Sequence, residues 1–181
     1  MRPLAVASLA ALTLVCSGQE PARQAEAPAA AGRRMDFAGI TKIESTVEQK
    51  LKTVSPSDPI DLLGACTGVY LQGYGLVFTV PISLISSPPI FGPFTGNYTP
   101  QKAEGVRKRK LANYPLVKKA ASELLTQAAK ASPDIAPGEK IALAIRFFYL
   151  DYEDTTGLPK ELVASADRDS ALAGNVALEA R

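Results

Sequence analysis

The stretch Cys66-Thr67-Gly68-Val69-Tyr70-Leu71-Gln72-Gly73-Tyr74-Gly75-Leu76-Val77-Phe78-Thr79-Val80-Pro81-Ile82-Ser83-Leu84-Ile85 has the pattern of a β-hairpin. Its second arm alternates without a break. Leu76, Phe78, Val80, Ile82 and Leu84 take one side, and Val77, Thr79, Pro81, Ser83 and Ile85 the other. Period two with one strongly apolar side predicts a half-buried strand. The first arm contributes Val69, Tyr70 and Leu71. Between them, Gln72 to Gly75 supplies a turn whose glycines accept positive φ. Pro81 has no N–H to give a ladder, which predicts a sheet edge near that point.

Helices are predicted on both sides of the hairpin. Over 39–54, Ile40, Ile43, Val47, Leu51 and Val54 recur at steps of three and four, an amphipathic helical stripe. Pro56 and Pro59 stop it. Over 102–131, Leu116, Val117, Ala120, Ala121, Leu124, Leu125 and Ala128 form a second stripe, with a break expected near Pro115. Residues 140–150 predict a central strand, because Ile141, Leu143, Ile145, Phe147 and Tyr149 on one side face Ala142, Ala144, Phe148 and Leu150 on the other. A turn at 151–157 precedes a short helix expected to start near Pro159. The order α-β-β-α-β-(α) is that of an α+β domain, an antiparallel hairpin and a central third strand packed by helices. In element order it is similar to roadblock- or longin-like modules, a likeness that carries no function.

The N-terminus has a different pattern. Arg2, then an uncharged run from Leu4 to Val15, then Ser17 and Gly18 give the charged, apolar, small order of a secretory signal peptide. A run of this length is too short to span the roughly 30 Å of a bilayer. Cleavage after Ser17 or Gly18 discards Cys16; in the alternative, Cys16 is the acylated cysteine of a bacterial lipoprotein. The expected division is a signal peptide at 1–18, a flexible Ala/Pro-rich spacer at 19–38, one α+β domain at 39–174 and a frayed tail at 175–181. Location is then periplasmic or secreted, or lipid-anchored at Cys16, with no transmembrane span.

Composition excludes more chemistry than it suggests. The 181 residues hold no histidine and no tryptophan. Without an imidazole, Ser-His-Asp and Cys-His catalysis and every His-ligated metal site are excluded. A net charge of +2 argues against a non-specific nucleic-acid binder. Cys66, in an apolar run of small residues, is expected to be a buried, inert thiol.

Thr67-Gly68-Val69-Tyr70-Leu71-Gln72-Gly73-Tyr74-Gly75-Leu76-Val77-Phe78 resembles exported bacterial proteins of uncharacterised activity that carry a Tyr-Leu-x-Gly-Tyr-Gly-x-Val-Phe hairpin. The likeness spans about a dozen residues and implies export from a bacterium, with no activity to carry across.

Candidate sites remain. Gly73, Tyr74 and Gly75 fit a tight turn, or a backbone that approaches a ligand. The loop 86–101 carries Phe91, Phe94 and Tyr98, which fold back as a lid or bind a partner. Asp151, Glu153 and Asp154 close the central strand. They suit a solvated turn, a hard cation such as Ca²⁺ with Asp167 and Asp169 nearby, or an acid/base pair. Arg107-Lys108-Arg109-Lys110 suits a solvated helix face or an anionic partner. No cofactor is implied. The expected function is a non-catalytic binding or assembly module with a protein or envelope partner; the alternative is a small metal-dependent or acid/base hydrolase using Asp151, Glu153 and Asp154.

Overall fold

The computed structural model describes residues 36–86, 100–136, 138–151 and 153–181. They form an α+β fold in the order α1 (Phe37–Thr53), β1 (Asp61–Leu62), β2 (Thr67–Leu71), β3 (Gly75–Ser83), α2 (Pro100–Ala131), β4 (Lys140–Phe147), β5 (Glu161–Asp167), α3 (Arg168–Leu172) and β6 (Ala177–Ala180). The sheet runs β1-β3-β4-β5-β6, with β2 beside β1 on the same edge of β3. Only β3 and β4 are parallel, joined across α2; the other pairs are antiparallel.

The core lies on one side of the sheet. Leu76, Phe78, Val80 and Ile82 of β3, Ile141, Leu143 and Ile145 of β4, and Leu162 and Ala164 of β5 are buried there. Against them pack Ile40, Ile43, Val47 and Leu51 of α1 and Val117, Ala121, Leu124, Leu125 and Ala128 of α2. Both stripes expected from the sequence are therefore core. Leu116 is the exception, since it is exposed.

Several expectations need correction. No break divides α2 at Pro115, which sits exposed within a continuous helix. An interior proline costs about 3 kcal/mol, and the buried contacts from Val117 onward offset it. Residues 161–167 are a strand where a helix was expected. Leu162 and Ala164 alternate inward, and pairing with β4 overrides the helix preference of an Ala-rich run. The tail expected to fray is ordered as β6, because β5 offers it an open edge. Arg181 exchanges backbone bonds of 2.9 and 3.0 Å with Glu161.

Pro81 lies inside β3, with β4 on one side. Its carbonyl accepts from Leu63 N–H at 3.0 Å, so its missing donor points at the interval between β1 and β2, where the ladder is interrupted. The edge expectation holds for that interval alone.

The start of the outward edge of β2 is covered. Glu44 and Glu48 of α1 accept the N–H groups of Gly68 at 2.7 Å and Cys66 at 2.8 Å. A helix thus satisfies donors that would otherwise invite another strand. Gly68 permits this closeness, since a Cβ there would overlap the Phe78 ring and come within 2.8 Å of Ile40.

Candidate functional site

The three described helices cover one face of the sheet, and the alternate residues form the other face, which no described helix covers. Val69, Val77, Ala142, Ser165 and Ala177 stand side by side across it, next to the row Thr67, Thr79, Ala144, Val163 and Glu179. Small residues in β4 keep the middle flat. Apolar side chains lie toward its margins, with Val69 48%, Leu71 47% and Phe148 52% exposed. Charge closes both ends of the β4–β5 pair: Lys140 stands opposite Asp167, and Arg146 opposite Glu161. A middle of small side chains, apolar margins and charged ends together suit a protein interface.

At the hairpin tip, Gly73 and Gly75 have positive φ, and Tyr74 is exposed. The backbone that approaches Gly75 is the chain's own. A Cβ there would overlap Lys140 O, and Lys140 N–H bonds to Tyr74 O at 2.6 Å. Tyr70 Oη donates to Glu139 Oε1 at 2.8 Å, closing this end of the sheet.

The acidic turn and the basic run, separate candidates in the sequence, meet in space. Lys110 and Glu153 form an ion pair whose side chains are only 2% and 5% exposed. Lys110 Nζ also lies 4.9 Å from the centre of the Tyr149 ring, a cation–π contact. Burial pushes the Tyr149 phenol up, with the Glu153 carboxylate adding to it. Its hydroxyl donates to Pro159 O at 2.7 Å. Arg107 Nε lies 3.3 Å from Asp154 Oδ2 and donates to Thr156 O at 3.1 Å. Hydrogen bonds from Thr156, aided by Arg107, hold Asp154 below its usual range. Arg109 grips Asp58 with two nitrogens.

Of the three proposed carboxylates, Glu153 and Asp154 thus clamp α2 to the turn after β4, while Asp151 is exposed. Among the described residues no group of three acidic or cysteine side chains is placed to hold a metal ion. The basic run is likewise no free solvated face. Three of its four members tie α2 to neighbouring loops.

Sequence reasoning missed Asn113. Its buried amide donates to Asp58 O at 2.9 Å and Leu84 O at 2.7 Å, joining the loop before β1 to the end of β3. A polar residue one turn after Lys110, inside an apolar stripe, was the available signal. Cys66 is buried, as expected. Burial, with Glu44 and Glu48 nearby, pushes its thiol up to about 12. Phe91, Phe94, Tyr98 and Cys16 lie outside the described residues. No helix among the described residues is long and apolar enough to cross a membrane.

No family model, no curated protein and no solved structure matches the chain.

Proposed function

We propose that this chain is an exported bacterial binding or assembly module of the cell envelope or periplasm that works without catalysis, and that the open sheet face is its contact surface. The observation that carries the reading is that face: a flat middle of small side chains, exposed Val69, Leu71 and Phe148 at its margins, and charged residues at both ends. Support also comes from the structural role of Glu153 and Asp154, whose partners Lys110 and Arg107 compete with a substrate or cation. Export rests on the charged, apolar, small order of residues 1–18.

Photo-crosslinking in intact cells tests the contact surface. A photoreactive residue at Val77, in the middle of the open face, is expected to give discrete protein adducts. The same residue at Lys119, on an exposed part of α2, is expected to give none. Absence of adducts at Val77, or equal adducts at both positions, would contradict the reading. Lipid labelling of the wild type that disappears in Cys16→Ala would replace the cleaved form by the lipid-anchored one.

A further inference from the structure

We infer that the open sheet face docks a second copy of this chain, with β4 of one copy lying over β5 of the other. The inference rests on the reading of that face as a contact surface and names its partner. Four charged residues carry it. Lys140 and Arg146 lie at the two ends of β4, and Asp167 and Glu161 stand opposite them on β5. Alternation places all four on the open face. Lys140, Arg146 and Asp167 are exposed. Among the described residues, Lys140, Arg146 and Asp167 are in no ion pair within 4.0 Å, while Glu161 lies in the field of Arg181, which follows β6.

The pattern is self-complementary in one orientation. A twofold axis along the strands, between β4 and β5, lays each copy's β4 over the other's β5. Lys140 then meets Asp167 of the second copy, and Arg146 meets its Glu161. Each contact occurs twice, as an isologous interface requires. Between them, Ala142 and Ala144 face Ser165 and Val163, short side chains suited to sheets packed about 10 Å apart. An axis across the strands would instead set Lys140 over Arg146 and Asp167 over Glu161, joining like charges at both ends. Charge thus selects one orientation and opposes the other.

The size of the face sets the strength. Across this axis four strands overlap, β4 on β5 and β3 on the four-residue β6, while β2 lies outside; at about 4.8 Å between strands and ~3.3 Å per residue they span roughly 350 Å² per copy. A standard interface needs about 800 Å² per side, so the dimer is a weak one that forms with concentration.

Sedimentation velocity on the full chain, from about 2 to about 200 µM, tests the inference. The expected mass rises from 19.1 kDa toward twice that value. Lys140→Asp and Asp167→Lys are each expected to weaken association by about tenfold or more. An equimolar mixture of the two is expected to restore it, because each variant supplies the charge that the other lost. Far-UV circular dichroism confirms folding. The exchange of Arg146→Glu with Glu161→Arg repeats the test at the other end if the first pair misfolds. A wild type that stays monomeric throughout, or a dimer indifferent to these reversals, would overturn the inference. A monomeric wild type whose Val77 adducts contain a different protein would overturn self-docking while leaving the contact-surface reading in place. Absence of all Val77 adducts would remove that reading as well.

Discussion

Lys110 on α2 and Lys140 on β4 carry the same charge and meet opposite surroundings. Lys110 is buried against Glu153 and the Tyr149 ring. Lys140 is exposed on a sheet face that no described helix covers, opposite Asp167 and outside ion-pair distance of it. A buried pair is retained because removing either member strands a charge in low dielectric. An exposed charge beside an apolar surface contributes little to folding and much to the choice of partner. The difference separates a basic run that organises the fold from a charge pattern that remains available for contact.

The sharpest way to break this contrast is Lys110→Met. It leaves Glu153 buried and unpaired, and should cost about 3–5 kcal/mol in urea unfolding. A double change of Lys110→Met with Glu153→Leu should recover most of that loss. A single-variant loss below about 1 kcal/mol would place Lys110 with the surface charges.

Alkaline titration comes next. Burial pushes the native Cys66 thiol up to about 12, against an ordinary thiol value of 9.0. Above the unfolded value the unfolded chain binds fewer protons than the native one. Stability should therefore be intact below about pH 9 and fall by up to about 1.4 kcal/mol per pH unit as pH rises toward 12. Cys66→Ala should flatten the first part of that fall. An unchanged slope would mean that the thiol is not held protonated.

Gly68→Ala sharpens the account of the covered edge. The added methyl meets Phe78 and Ile40, an overpacking cost of about 1–3 kcal/mol in urea unfolding. The smallest effect belongs to the open face: Lys140→Asp should change monomer unfolding by no more than about 0.5 kcal/mol, although it weakens association. A larger loss would give Lys140 a structural role like that of Lys110.

The parts of the fold legible from sequence were those with strict periodicity. The alternation from Leu76 to Leu84 and the stripe from Ile40 to Leu51 placed β3 and α1, because one buried face imposes its period on the residues. β5 was obscured by Leu162-Val163-Ala164-Ser165-Ala166, where short side chains suit a helix as well as a strand, and only pairing with β4 decides. β6 was hidden for a related reason: four residues carry too little pattern, and the open edge of β5 recruits them. The candidate site was less legible still. Lys110 and Glu153 are 43 residues apart, and no spacing rule joins a helix to a turn beyond the next strand. The open face follows from register, which sequence alone did not supply, since Lys140 and Asp167 become neighbours only once β4 and β5 are aligned.

Lysine acetylation read by mass spectrometry, on the full chain at about 2 and about 200 µM, sets the two lysines against each other in one sample. The expected result is Lys110 protected at both concentrations, and Lys140 modified at the lower and protected at the higher. Equal modification of Lys140 at both concentrations, or a Lys110 that reacts as fast as Lys140, would contradict the account.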